Sequence, residues 1–373
     1  MLPIRRCSCP LDQPETSMSS QHSSPEAAPT ADIRIQTIRE LLSPAALSRE
    51  LPTSQNIIEN VKQSRQTISR ILSGKDERLL VIVGPCSIHD PDSALEYARR
   101  LKTLSDELQQ QLYIVLRVYF EKPRTVVGWK GLINDPDLNN SFDINKGLNI
   151  SRKLLINISE IGLPAATEFL DTTLGQYYAE LISWGAIGAR TVESQIHREL
   201  ASGLSMPIGL KNRTDGDVRV AIDAINAARH SHWFPSLTHE GAPAILETTG
   251  NPDTHLILRG GDRSGPNYDA ESIALACEKL NDADLAPRLM VDCNHANSVK
   301  DPLKQIQIAQ ALLPLMQGKN RQVFGLMIES HLLGGRQDMA DKQALTYGQS
   351  ITDACLGFSD TEVLLRQLAS SLT

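Results

Sequence analysis

Eight polar side chains stand at or just past the ends of short apolar runs. They are Cys86 after LLVIVG (79–84), Arg117 in YIVLRVYF (113–120), Glu168 in PAATEFL (164–170) and Arg190 ending WGAIGAR (184–190). The others are Lys211 in PIGLKN (207–212), Arg259 in HLILRGG (255–261), His295 ending LMVDCNH (289–295) and Glu329 in VFGLMIES (323–330). Four of the eight are cations, and FEKPRT (120–125) adds Lys122 and Arg124. So much positive charge in one concave site repels itself unless dense anions offset it. Two phosphates and a carboxylate would suit, gripped by guanidinium forks. The Gly-rich RGGDRSG (259–265) is a weak phosphate-loop signal, and no GxxxxGK[ST] occurs, so ATP chemistry is not indicated.

The second group is Cys86, His295 and Glu329. A thiolate, an imidazole and a carboxylate make a mixed sulfur, nitrogen and oxygen donor set suited to a divalent transition metal. Asp353 in GQSITDAC (348–355) is a candidate fourth ligand. The spacing carries no metal motif, so the inference rests on the strand ends meeting. Cys293 is a rival ligand, two residues before His295 and on the same strand face. His89 forms C-x2-H with Cys86 and reads as a turn residue, while His331 could orient a ligand or bond to a loop. A cysteine nucleophile with a histidine base is an alternative, but it leaves the carboxylates unexplained.

These residues need a scaffold that brings strand ends together. From residue 78 onward eight apolar runs alternate with amphipathic helices, expected at about 91–109, 145–161, 174–184, 192–203, 215–230, 270–281, 301–317 and 359–371. Asp90-Pro91 and Asp301-Pro302 are helix-start signals. Strands apolar on both faces imply a parallel sheet, most simply a closed (β/α)8 TIM barrel whose active site lies at the C-terminal strand ends. A doubly wound open sheet is the runner-up, but no GxGxxG follows the first strand. Residues 233–250 read as a β-hairpin inserted into the barrel. Upstream, 54–73 has a helical period with Ile57, Ile58, Val61, Ile68, Ile71 and Leu72 on one face, an N-cap at Ser54 and a stop at Gly74. It must dock on its own barrel or on a neighbouring subunit.

The expected organisation is a disordered segment (1–30), an N-terminal helical extension (31–75) for regulation or oligomer contact, and the catalytic barrel (76–373). Residues 1–30 are rich in Ser, Pro, Gln and Glu. Met18 is a second candidate start, which would remove Cys7 and Cys9. A net charge of −7 argues against a general nucleic-acid binder. No run approaches the roughly 18 apolar residues of a membrane span, and the N-terminus lacks the apolar stretch of a signal peptide. Six cysteines in 373 residues are too sparse for a disulfide scaffold, so the cytoplasm is the expected compartment.

Six motifs together, GPCSIHD, RVYFEKPRTVVGWKGLINDPD, GAIGARTVESQIHRE, GLKNRTDG, LRGGDRSGPNY and YGQSITDACLG, resemble the type I 3-deoxy-D-arabino-heptulosonate 7-phosphate (DAHP) synthases across about 31–373. The resemblance implies a feedback-regulated enzyme that condenses phosphoenolpyruvate with D-erythrose 4-phosphate, releasing phosphate, at the first step of the shikimate pathway toward the aromatic amino acids. It implies Cys86, His295, Glu329 and Asp353 as ligands of a divalent metal (Mn, Fe, Zn, Co or Cu) that acts as a Lewis acid. Arg117, Lys122, Arg190, Lys211 and Arg259 would hold phosphoenolpyruvate, with Glu168 nearby. Arg124 and Thr125 would hold the aldose phosphate, and Lys122, between both substrates, would transfer a proton.

The resemblance also implies a homodimer or homotetramer and an aromatic amino-acid effector site at Gly175, Gln176, Leu204, Ser205, Phe234 and Ser236. Some relatives carry Pro where this chain has Gly175, and the extra room favours tryptophan over phenylalanine or tyrosine. Asn294 in DCNHAN departs from the Ser more usual in relatives and is expected to touch no proposed ligand. Two other readings compete. One is a phosphoenolpyruvate-condensing barrel of the 3-deoxy-octulosonate 8-phosphate synthase kind, which uses a longer sugar. The other is a non-catalytic subunit that only binds the aromatic effector.

Overall fold

The computed structural model describes residues 30–124, 126–318, 321–340 and 342–372. The chain divides into two compact units, 1–40 and 41–373. In the first, residues 30–40 form a turn and irregular chain without a helix. The expectation for 1–30 lies outside the described residues except for Thr30, as do Met18, Cys7 and Cys9. In the second unit, helix begins only at α1 (Pro44–Glu50), followed by α2 (Gln55–Leu72). The helical extension is therefore shorter than 31–75.

The barrel strands are β1 (Leu79–Gly84), β2 (Leu112–Arg117), β3 (Ala165–Glu168), β4 (Trp184–Ile187) and β5 (Ile208–Lys211). A hairpin of β6 (Trp233–Leu237) and β7 (Pro243–Glu247) interrupts the series, which resumes with β8 (Thr254–Leu258), β9 (Leu289–Asp292) and β10 (Val323–Glu329). Eight strands close in the order β1-β10-β9-β8-β5-β4-β3-β2, all pairs parallel, and the hairpin forms a separate antiparallel pair. The helices between strands are α3 (Pro91–Glu107), α4 (Ile144–Ile161), α5 (Gln195–Gly203), α6 (Arg219–Ala228), α7 (Ala270–Asp282), α8 (Lys304–Ala311) and α9 (Leu313–Met316). After β10 comes α10 (Phe358–Ser371).

Strand alternation builds two cores. In β1, Leu79, Val81 and Val83 join the layer beneath the helices, whereas Leu80 and Ile82 point into the barrel with Val115, Ala166, Ile257 and Met327. Both faces are apolar because both are covered. Ile68 and Ile71 of α2 belong to the interior cluster, so this helix docks on its own barrel. Ser54 caps α2 by accepting from the Ile57 amide, and Asp90 caps α3 by accepting from the Asp92 amide with Pro91 at the first helical position.

Two expectations fail locally. The 174–184 segment is two 3₁₀ turns, Leu174–Tyr177 and Ala179–Leu181. Its buried Leu174, Tyr177, Tyr178 and Leu181 are spaced three and four apart, which helix and 3₁₀ turn share. Asp301-Pro302 precedes α8 by a turn rather than opening it, since Leu303 is the residue before the helix.

Candidate functional site

The strand ends do converge. Lys211 closes β5, Arg259 directly follows β8, and Arg190 lies three residues past β4. All three line a cavity of about 500 Å³ at the barrel mouth, with Lys122, Arg124 and Glu168. His295, Asn294 and Asp353 complete its wall. Gly188 makes this packing possible: a Cβ there would come within 2.3 Å of Glu168 Oε1. Arg124 is held by its Nε donating to the Trp129 carbonyl at 2.7 Å. Arg190 is exposed and has no ion-pair partner among the described residues. Thr125 lies outside the described residues.

Behind the mouth is a buried charge cluster. Cys86 Sγ and carboxylate oxygens of Glu329 and Asp353 all lie within 4.8 Å of one another. Atoms bound to one ion at about 2.0–2.3 Å cannot be much farther apart than that. His295 stands beside this trio, its Nε2 3.9 Å from Glu329 Oε1. It has φ +56°, a left-handed backbone that a non-glycine residue keeps only when its surroundings impose it. Its Nδ1 approaches Asp292 Oδ2 to 2.8 Å but is not directed for a proper hydrogen bond.

Burial pushes the Cys86 thiol up to about 12, and Glu329 adds to the effect. The thiol is therefore neutral until a cation compensates it. For Asp353, burial raises the carboxyl, but Lys122 and His295 outweigh it and hold it below the usual range. A soft sulfur among hard oxygens and an imidazole fits a divalent transition metal.

The ammonium of Lys122 bridges the two parts, 3.1 Å from Cys86 Sγ and 3.3 Å from its carbonyl oxygen. Burial works against its charge, yet Cys86 and Glu329 keep its pKa above the usual range.

Arg117 does not line the mouth. It is fully buried, and its three nitrogens go to the Pro85 and Cys86 carbonyls, Met327 Sδ and Glu329 Oε1, the last at 2.8 Å. Its guanidinium also stacks 3.5 Å from the Tyr119 ring centroid.

Three residues that sequence reasoning missed complete the network. Asp292 accepts from Lys211 Nζ at 2.8 Å and faces His295. Burial raises its carboxyl, but His295 and Lys211 reverse this and hold it well below the usual range. Asn294, expected to touch no proposed ligand, donates its side-chain amide to Glu329 Oε2 at 2.6 Å, because the turn after β9 folds it back onto the end of β10. The Gln305 side chain bonds both the N–H and C=O of Glu329. Asp292 was legible in part, as the last residue of an apolar strand, but His295 in the same run drew attention away.

Cys86, Cys277, Cys293 and Cys355 are free and buried. Cys293 does not belong to the trio. His89 is buried in a turn with Nδ1 unpartnered, and His331 Nδ1 accepts from the Leu332 amide.

A second cavity, about 660 Å³, lies beneath the hairpin. Gly175, Gln176, Leu204, Ser205, Phe234 and Ser236 all line it, as do Met206 and Asp253. Gly175 does not simply leave room for a ligand. A Cβ there would meet the Phe169 ring at 3.2 Å, so the space is already used by the core. Strands β5 and β8 start beside this cavity, after Met206 and Asp253; β5 ends at Lys211 and β8 just before Arg259, both in the mouth.

A closed parallel barrel with a cation-lined mouth beside a sulfur–oxygen donor cluster defines a class of enzymes built around small anionic substrates. The chain belongs to the DAHP synthetase I family, whose model matches residues 55–366. It is 55% identical over 341 residues to the Phe-sensitive phospho-2-dehydro-3-deoxyheptonate aldolase of Escherichia coli K12, covering 91% of this chain and 97% of that one. It is 52% identical over 343 residues to the Trp-sensitive enzyme of the same strain, covering 92% and 98%. The structure of phospho-2-dehydro-3-deoxyheptonate aldolase from Francisella tularensis SCHU S4 superposes with a TM-score of 0.88 at 50% identity, covering 91% of this chain and 98% of that one.

Proposed function

We propose that this protein condenses phosphoenolpyruvate with D-erythrose 4-phosphate to DAHP and phosphate, under feedback by an aromatic amino acid. The carrying observation is the mouth cavity, where Arg190, Lys211, Arg259 and Arg124 surround space next to the Cys86, Glu329 and Asp353 cluster. In this reading Arg190, Lys211 and Arg259 bind the phosphate and carboxylate of phosphoenolpyruvate. Arg124, with Thr125, takes the aldose phosphate. Arg117 acts from behind, fixing the Cys86 carbonyl and Glu329.

Carbon 3 of the enol attacks the aldehyde carbon, and Lys122 gives its proton to the oxygen that becomes a hydroxyl. Water adds at carbon 2, with Glu168 taking its proton. The carbon–oxygen bond to phosphate then breaks as the carbon-2 hydroxyl becomes the ketone and gives its proton to the departing phosphate, whose charge the cations stabilise. A divalent metal held by Cys86, His295, Glu329 and Asp353 would supply Lewis acidity toward the aldehyde oxygen.

The hairpin cavity is read as the effector site. Its size and its Phe234 side chain support an aromatic amino acid, tryptophan or phenylalanine by the sensitivities of the two relatives. A homodimer or homotetramer is supported by the apolar outer face of the hairpin, where Trp233, Pro235 and Ile245 are exposed. Among the described residues no helix is long and apolar enough to cross a membrane, in keeping with a cytoplasmic enzyme.

The test is phosphate release from phosphoenolpyruvate with aldose phosphates of four and five carbons in turn. Turnover with erythrose 4-phosphate is expected. A preference for the five-carbon sugar would move the protein to the octulosonate type, and no turnover with any sugar would leave only an effector-binding subunit.

A further inference from the structure

The segment 292–295 carries more than the expected histidine. Asn294 is buried, and each of its polar groups but one is spoken for. Its backbone N–H donates to Asp292 Oδ1 at 2.9 Å. Its side-chain Nδ2 donates to Glu329 Oε2 at 2.6 Å. Its Oδ1 accepts from Ser298 Oγ at 2.8 Å. The Glu329 contact orients the amide. A carboxylate only accepts, so Nδ2 must face it and Oδ1 is left to take the Ser298 proton.

Glu329 is therefore gripped on both oxygens, Oε1 by Arg117 and Oε2 by Asn294. Its backbone is pinned on both sides by Gln305. The carboxylate plane is fixed, and one of its oxygens lies within 4.8 Å of Cys86 Sγ and of an Asp353 oxygen. Hydrogen-bond partners of a metal-binding group set its orientation and basicity. Asn294 is also the residue directly before His295, whose left-handed backbone depends on the same turn. Ser298 Oγ, which anchors the Asn294 amide, lies 3.4 Å from the His295 carbonyl.

We propose that Asn294 is a positioning residue for the metal centre. Its amide holds Glu329, and its place in the turn presents His295, so one side chain sets the relation between two ligands from different strands. The proposal rests on the metal reading above. It makes no contact with the reacting atoms necessary.

The test measures metal rather than turnover. Co²⁺ and Zn²⁺ affinities of the full-length protein are measured by chelator competition for wild type, Asn294→Leu and Asn294→Ser. The sulfur-to-cobalt absorption band is recorded alongside. Leu matches the shape but donates nothing, so affinity should fall about 10- to 100-fold with an altered band. Ser keeps a shorter donor and should fall between. Phosphoenolpyruvate affinity of the metal-free protein should change far less than metal affinity, because Arg190, Lys211 and Arg259, which grip the anion, are untouched. Both variants with wild-type cobalt affinity and an unchanged band would overturn the role of Asn294. Wild type that binds neither ion would instead overturn the metal reading itself. If Asn294→Leu does not fold, Asn294→Ser decides alone, on affinity and band.

Discussion

The two large cavities are built from opposite materials. The mouth is made of charge: Lys122, Arg190, Lys211 and Arg259 on the wall, with Glu329, Asp292 and Asp353 close behind or among them. The hairpin cavity is made of space. Gly175, Gly203, Ser205 and Ser236 line it beside Phe234 and Leu246, and the charges at its edge, Arg65, Glu180, Glu247 and Asp253, are of both signs rather than one. A site of fixed charge binds through groups that were costly to bury and are held ready by their neighbours. A site of space binds through fit, and its limits are set by what already packs behind the wall. The contrast teaches that one end of a barrel can specialise in chemistry while the other side is left free for recognition.

Removing charge should have the largest effect. Arg190→Ala takes away an unpaired guanidinium, and a lost charged contact of about 1.5–3 kcal/mol corresponds to roughly 10- to 150-fold. Phosphoenolpyruvate binding, followed by calorimetry, should weaken by that order and erythrose 4-phosphate binding much less. Equal losses would mean the two substrate halves are exchanged.

The wall between the cavities comes next. Glu121 precedes Lys122 and accepts from the Asp171 amide at 3.4 Å, beside the segment that carries Gly175. Burial, then the Asp171 charge, pushes its carboxyl up to about 8. The unfolded chain releases this proton near the ordinary glutamate range of about 4.3. Between these values the unfolded state binds fewer protons, so the group's contribution to stability falls as pH rises from about 5 to 8 and levels off above. Glu121→Gln should flatten that part of the melting-temperature profile. A variant curve parallel to wild type from pH 5 to 8.5 would show that this carboxyl is not buried protonated.

The smallest effect should come from the space side. Gly175→Ala places a methyl against Phe169 and should cost about 1 kcal/mol of stability by denaturant unfolding, the low end of overpacking. A neutral result would mean that the ring yields, and that the cavity can gain or lose volume more freely than the packing suggests.

The mouth was legible in the sequence because barrel geometry turns a linear observation into a spatial one. A polar residue at the end of an apolar run must face the C-terminal rim, so Lys211, Arg259 and Glu329 could be collected without any motif. What stayed hidden were partners whose role is to hold others. Asn294 and Gln305 have no charge and no period, and nothing in the chain says that they reach Glu329 across about 24–35 positions. Arg117 shows the limit from the other side: its place at a strand end was read correctly, but its turn inward to Glu329 depends on packing against Tyr119 and Met327. The hairpin cavity residues carry no chemical signature at all. Only the resemblance pointed to them, and it could not reveal that Gly175 serves Phe169.

Strands β5 and β8 are stiff rods of four and five residues, roughly 13–17 Å long, with one end abutting the hairpin cavity and the other bearing Lys211 or Arg259. In a close-packed barrel neither rod can shorten. Whatever occupies the hairpin cavity and whatever occupies the mouth therefore lean on the two ends of the same pair of strands.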